Sequence, residues 1–118
     1  MPAKVLLILF AGPEMLCKLQ HAFVFSRDMV ARGGEATIIF EGNSPKWLIE
    51  FAKGEHKLLP MFDRVKGEGL IMGVCRGCAM MHGAVEASES LGLNLMGEAS
   101  GHVSLEHLSG QGYEIVTL

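Results

Sequence analysis

Short apolar runs alternate with amphipathic stretches along the whole chain. Residues 4–10 form a continuous apolar run, which is typical of a strand that is buried on both faces. Residues 14–32 instead carry apolar side chains at helical spacing, including Leu19 and Phe23, and Gly33 follows as a helix stop. The start of the chain therefore predicts a buried strand followed by a long amphipathic helix.

The same patterns predict the remaining elements of an α/β fold. Further strands are expected over 36–40, 70–74, 93–96 and 113–118, and helices over 44–54, 57–66, 78–91 and 104–108. Strands that take turns with helices predict a three-layer α/β/α arrangement around a mostly parallel five-stranded sheet. A chain of 118 residues is long enough for one hydrophobic core, so we expect a single domain over 1–118.

The predicted sheet also indicates where ligand chemistry would gather. In open parallel sheets, sites form at the edge where the carboxyl ends of the strands meet. Four segments that follow predicted strands would lie at this edge: residues 12–13, 41–43, 75–78 and 97–102. Glu41, in the second segment, could face the site or only ionise into solvent. These segments are the candidate site that the pattern alone provides.

Charge and sequence motifs exclude several partners. The formal net charge is −3 and the ten Lys and Arg residues are scattered, so no basic field would attract nucleic acid. Neither G-x-G-x-x-G nor G-x-x-x-x-G-K-[ST] occurs, which disfavours nucleotide binding. We therefore expect no nucleic-acid partner and no cofactor. The sequence leaves one alternative open, which is a flavin bound by loops that carry no motif.

The cysteine count and the hydropathy profile bear on location. Three cysteines cannot form an even disulfide framework, which favours a reducing compartment. The apolar run near the amino terminus is followed by no small-residue cleavage site and is far shorter than the ~20 residues of a membrane span. We therefore expect a cytoplasmic protein without a membrane partner.

The segment with the most chemistry is Cys-Arg-Gly-Cys at 75–78. Cys75 is expected between a strand and a helix, where free backbone N–H groups favour an anionic thiolate. The neighbouring Arg76 adds a positive charge, and Cys78, one helical turn on, could trap an oxidised or persulfidated Cys75. His102 follows the fourth strand at the same edge and is a candidate proton shuttle. We therefore predict a lowered Cys75 pKa and a catalytic group made of these four side chains.

The cysteine pair permits four interpretations. Cysteine is often buried for packing alone, so a structural role is open. Dithiol exchange of the thioredoxin kind is disfavoured, because no proline follows the pair. Zinc would take Cys75, Cys78 and His82, with His102 or His107 as the fourth ligand, but the sequence has no second paired-ligand motif. We favour sulfur transfer through a persulfide on Cys75, with no metal at the site.

The order of elements and the cysteine motif resemble the DsrE/DsrF-like family of small sulfur-relay proteins, which includes the TusD and YchN types. The resemblance covers nearly the whole chain: an apolar first strand, a long first helix, the strand Ala-Thr-Ile-Ile-Phe at 36–40 and then a strand that ends in cysteine. Its specific motif is Cys75 with Gly83 eight positions later. Family members often carry Arg immediately before that glycine, where this chain has His82.

The resemblance implies a function and an assembly. Cys75 matches the sulfur-accepting position of the family, which implies a sulfurtransferase or sulfur carrier that serves a protein donor and a protein acceptor. It also implies a homo-oligomer, trimeric or hexameric, with the active cysteines near subunit boundaries. The alternative is a non-catalytic regulatory or binding module of the same fold, in which the cysteine pair is a metal or redox site.

Overall fold

A computed structural model describes residues 3–118, which form one sheet with helices on both of its faces. In chain order the elements are β1 (Lys4–Leu9), α1 (Leu16–Ala31), β2 (Glu35–Phe40), α2 (Lys46–Ala52), α3 (Leu59–Gly67), β3 (Ile71–Cys75), α4 (Arg76–Met81), α5 (Val85–Ser90), β4 (Leu95–Met96), α6 (Leu105–Gly110) and β5 (Glu114–Thr117). All the strand pairs are parallel. The predicted α/β class with a five-stranded sheet is confirmed.

The strand order explains how the helices are divided between the two faces. The order is β4-β3-β2-β1-β5, so the chain moves in one direction across the sheet from β1 to β4 and then returns to the far side of β1. Since parallel crossovers are right-handed, helices α1 to α5 are expected on one face and α6, on the return path, on the other. The two apolar clusters follow this division, with α1 to α5 packed on the larger cluster and α6 on the smaller one. The arrangement is a three-layer α/β/α fold.

Strand β1 is apolar at every position after Lys4 because both of its faces are covered. Leu7 and Leu9 point into the larger cluster, whereas Leu6 and Ile8 point into the smaller one. All four side chains are buried. Each such burial contributes roughly 1.5–3 kcal/mol, which stabilises the central position of β1 between β2 and β5.

The helix predicted over 78–91 is wrong, because the chain makes two short helices there, α4 and α5. Gly83 interrupts the helix with a φ of +66°, a value that glycine adopts without steric cost. The backbone N–H of Gly83 donates to the Met80 carbonyl at 3.3 Å, and that of Ala84 donates to the Ala79 carbonyl at 2.8 Å. These two bonds form a Schellman motif, which ends α4.

The predicted position of the cysteine is confirmed. Cys75 is the last residue of β3 and also the N-cap of α4, so it lies at the carboxyl edge of the sheet. The predicted strand over 70–74 is therefore shifted by one residue. The short helix expected after β4 is present, and the Ser104 side chain caps it by accepting a bond from the His107 N–H at 3.3 Å.

None of the helices within residues 3–118 is both long enough and apolar enough to cross a bilayer.

Candidate functional site

Four side chains from three parts of the chain converge at the carboxyl edge of the sheet. The oxygen, sulfur and nitrogen atoms that they offer all lie within 4.8 Å of one another, and we call them the carboxyl-edge cluster: Glu41, Cys75, Cys78 and His102. The first follows β2, the two cysteines lie at the end of β3 and in α4, and the histidine follows β4. The cluster therefore forms at the edge that the sequence predicts.

The Cys75 thiol is the buried centre of the cluster. Its residue has no solvent-exposed surface, and its Sγ lies 3.2 Å from Nδ1 of His102. His102 itself is exposed, so its imidazole lies between the sulfur and solvent. This contact is the thiol–imidazole pairing in which the ring can accept the thiol proton.

Glu41 is held beside the cysteines by its own backbone. Its N–H donates to the Leu9 carbonyl at 2.9 Å, and its carbonyl accepts from the Ser44 hydroxyl at 2.8 Å and the Ser44 N–H at 3.0 Å. Ser44 is fully buried, which fixes this turn against the core. The Glu41 carboxylate accepts a hydrogen bond from Cys78 Sγ at 3.5 Å. A negatively charged group therefore faces both thiols.

A tight turn presents His102 to the cysteine. Ala99 and His102 pair as an isolated antiparallel bridge, and the two residues between them, Ser100 and Gly101, have φ values of +53° and +89°. Positive φ at both central positions is the pattern of a type I′ turn. The Gly101 carbonyl also accepts a bond from the Gly77 N–H at 2.8 Å, which ties this turn to the first turn of α4.

Gly77 leaves the space that the imidazole occupies. A Cβ at this position would lie 2.5–2.9 Å from three ring atoms of His102, closer than non-bonded carbons approach. The glycine is therefore required for the contact between His102 and Cys75.

Gly77→Ala is expected to displace His102 and to make Cys75 more accessible without unfolding the chain. The displaced ring is exposed already, so it can move into solvent. The reaction rate of Cys75 with a small disulfide reagent at pH ~10, where hydroxide and not the imidazole takes the thiol proton, should then rise by about tenfold or more, because the buried thiol becomes accessible. Gly67→Ala in α3 is the matched control, because an added Cβ there meets open space. An unchanged rate in Gly77→Ala would contradict this geometry.

The prediction of a lowered Cys75 pKa is wrong. Burial, and after it the hydrogen bond and negative charge of Glu41, together raise the pKa of this thiol from 9.0 to about 12. The Cys78 N–H donates to the sulfur and lowers the pKa, but the net direction is upward. Helix α4 has only six residues, so its dipole adds little that could favour a thiolate. The thiol is therefore protonated at neutral pH, and a base must take its proton before it can attack.

The Arg76 side chain does not point at the Cys75 thiol. A Cβ on Gly97 would lie 2.7 Å from Nη1 of Arg76, so the guanidinium lies over the end of β4. The groups that act on the Cys75 pKa are its burial, Glu41 and Cys78, and Arg76 is not among them. The structure thus gives no support for Arg76 as a partner of a thiolate.

The structure places the other candidate zinc ligands outside the cluster. His82 follows the last residue of α4 as its C-cap, and His107 lies in α6, where Nε2 is 3.1 Å from the side-chain nitrogen of Gln111. In the cluster, the Glu41 carboxylate provides the ligand atom for which the sequence predicts a histidine. The available signal was the position of Glu41 directly after a predicted strand, although nothing in the sequence indicated its distance from the cysteines.

A large open cleft lies at the opposite edge of the sheet. It has a volume of about 530 Å³, and residues near the amino ends of the strands line it, among them Lys4, Glu35, Thr37 and Tyr113. It contains no cysteine or histidine. The cysteines and His102 therefore gather at the carboxyl edge, away from this cleft.

The chain is similar to an archaeal protein that covers most of its length. It is 31% identical over 100 residues to the uncharacterized protein MJ0733 of Methanocaldococcus jannaschii, and the alignment spans 85% of this chain and 79% of that protein. No family model matches the chain, and no solved structure matches it. Membership of the DsrE/DsrF-like family therefore stays a prediction.

Proposed function

The chain belongs to the same protein family as MJ0733 of M. jannaschii, and from the geometry of its carboxyl-edge cluster we propose that it is a sulfurtransferase or sulfur carrier. Cys75 accepts sulfane sulfur as a persulfide and passes it on within a cytoplasmic relay. A protein donor and a protein acceptor are its partners in this proposal.

The observation that carries the proposal is the contact of 3.2 Å between Cys75 Sγ and His102 Nδ1. A protonated thiol becomes a nucleophile when a positioned base accepts its proton during attack. Because the Cys75 pKa is raised to about 12, the imidazole replaces the helix terminus as the source of activation. His102 is exposed, so a small rotation of its ring can admit the outer sulfur of a donor while Nδ1 stays within reach of the thiol proton.

The loading step balances without an external oxidant or reductant. His102 takes the proton of Cys75, and Sγ attacks the outer sulfur of a donor persulfide. A sulfur–sulfur bond forms at Cys75 as the bond in the donor breaks, and the donor leaves as a thiolate that receives the proton from His102. An acceptor thiolate reverses these steps and restores the Cys75 thiol.

Cys78 provides a second route for release. Its Sγ lies within 4.8 Å of Cys75 Sγ, close enough to attack the inner sulfur of a Cys75 persulfide after a small rotation. A Cys75–Cys78 disulfide then forms and hydrosulfide leaves. A cellular dithiol must supply two electrons to return the pair to its reduced form.

Sulfur loading can be measured directly on metal-free protein. A Cys17→Ser background removes the one cysteine that is exposed on α1. After incubation with a low-molecular-mass persulfide and desalting, cyanide is expected to release one equivalent of thiocyanate per chain, because sulfane sulfur reacts with this nucleophile. Cys75→Ser in the same background should release none. An equal yield from Cys75→Ser would contradict the proposal.

A homo-oligomer is part of the proposal. The smaller apolar cluster is covered by the six-residue helix α6, and Met80 and Met81 in α4 are 66% and 78% exposed. Exposed apolar groups beside the site would be covered by a second copy of the chain. Light scattering at micromolar concentration should give a trimer or hexamer of the 12.8 kDa chain, and a species of 12.8 kDa alone would contradict it.

A further inference from the structure

We propose that the carboxyl-edge cluster is also a binding site for Zn²⁺, with one ligand from each of Glu41, Cys75, Cys78 and His102. The four residues offer one carboxylate oxygen, two sulfurs and one imidazole nitrogen, all within 4.8 Å of one another. Zinc is bound in proteins by these donor types, most often in a four-coordinate tetrahedral site.

The observed separations are close to those of a tetrahedral zinc site. With metal–ligand bonds of ~2.0–2.3 Å, neighbouring ligand atoms of a tetrahedron are ~3.3–3.8 Å apart. Two of the separations are 3.2 Å, between Cys75 Sγ and His102 Nδ1, and 3.5 Å, between Cys78 Sγ and Glu41 Oε1. Every other pair of ligand atoms lies within 4.8 Å, so side-chain movements of about 1 Å or less would complete the coordination sphere.

The backbone already holds the ligands in place. Glu41 is fixed by its bonds to Leu9 and Ser44, and His102 by the type I′ turn that is tied to Gly77. The cysteines lie on the last residue of β3 and one turn into α4. The site therefore does not depend on a change in the fold, and exposed His102 provides the entry path for the metal.

The donor set selects zinc over the harder divalent cations. Two thiolates and an imidazole are poor ligands for Mg²⁺ or Ca²⁺, which prefer oxygen atoms in larger coordination numbers. Four protein ligands would leave no open position, so the bound zinc would not activate water. Since Cys75 cannot ligate zinc and accept sulfur together, the metal would exclude the persulfide.

Cobalt titration tests the site with a spectroscopic probe. Chelator-treated Cys17→Ser protein is titrated with Co²⁺ and then with Zn²⁺. We expect one Co²⁺ per chain, with a thiolate-to-cobalt charge-transfer band and the intense visible bands of tetrahedral cobalt, and we expect Zn²⁺ to displace it. Absence of these bands, or weak octahedral bands without charge transfer, would overturn the proposal.

Two carboxylate variants give the matched comparison. Glu41→Gln should weaken Zn²⁺ binding by at least about tenfold. Loss of a residue that only orients a metal ligand already lowers metal affinity ~10–100-fold. Glu98→Gln removes a carboxylate from the exposed segment after β4 that lies outside the cluster, and it should bind as the parent does. Equal affinities for Glu41→Gln and the parent, with both folded by circular dichroism, would overturn the assignment of Glu41.

The zinc proposal and the sulfur proposal can fail separately. Glu41→Gln keeps both thiols and His102, so its metal-free form should still release thiocyanate after loading. Zinc bound to the parent protein should block loading and lower that yield. A zinc-loaded parent that yields as much thiocyanate as the metal-free parent would contradict the shared use of Cys75.

Discussion

In metal-free protein, Cys75 is expected to react with a small disulfide reagent at least about fiftyfold more slowly at neutral pH than an ordinary cysteine. A pKa raised from 9.0 to about 12 lowers the thiolate population about a thousandfold. Each thiolate is more nucleophilic by about twentyfold at the higher pKa, which offsets part of the loss. Because the neutral thiol is the favoured form, the rate should rise about tenfold per pH unit and continue to rise beyond pH ~9.

Glu41→Gln tests the cause of this slow reaction. The substitution removes the negative charge and the carboxylate hydrogen bond that raise the pKa of Cys75, while burial, the largest cause, stays. The Cys75 pKa should therefore fall partway, and its rate at neutral pH should increase. Glu98→Gln is the control for a general loss of charge. A parent rate that levels off below pH ~9, or no change in Glu41→Gln, would contradict this account of the thiol.

Cys78→Ser is expected to load sulfur as well as its parent but to lose spontaneous release of sulfide. Cys75 and His102 remain in place, so attack on the donor persulfide does not change. The thiol that would attack the inner sulfur is absent, so the Cys75 persulfide should survive at least about tenfold longer without an acceptor. Sulfide release over time after desalting measures this lifetime, with the Cys17→Ser parent as control.

The opposite outcome would reassign the two cysteines. If Cys78→Ser alone abolishes loading while Cys75→Ser loads normally, Cys78 is the sulfur acceptor. Cys78 is partly exposed whereas Cys75 is buried, so solvent access alone would favour Cys78 as the acceptor. The base next to Cys75 is the reason for our assignment.

The fold could be predicted from the sequence because its signals are local. The apolar run of β1, buried on both faces, and the apolar pattern of α1 each depend on residues close together in the chain. The glycine after α4 shows the limit of such local signals. In the sequence Gly83 stands out only by its spacing from Cys75, yet its φ of +66° and the Schellman bonds around it end the helix.

The site could be predicted only in part, because its electrostatics depend on residues distant in sequence. Parallel strands bring Glu41, Cys75 and His102 to one edge, and the sequence predicts that much. The Glu41 carboxylate approaches the thiols because Ser44 holds the turn after β2. The burial of Cys75 depends on the turn that presents His102. The local helix start alone therefore predicts the wrong direction for the Cys75 pKa.

Location of the added sulfur tests the central claim most directly. Metal-free Cys17→Ser protein is loaded with a persulfide donor, its persulfides are trapped by alkylation, and its peptides are sequenced by tandem mass spectrometry. We predict an added mass of about 32 Da, one sulfur atom, on Cys75. Sulfur found on Cys78 with Cys75 unmodified, or on neither cysteine, would contradict the claim that Cys75 carries the sulfur.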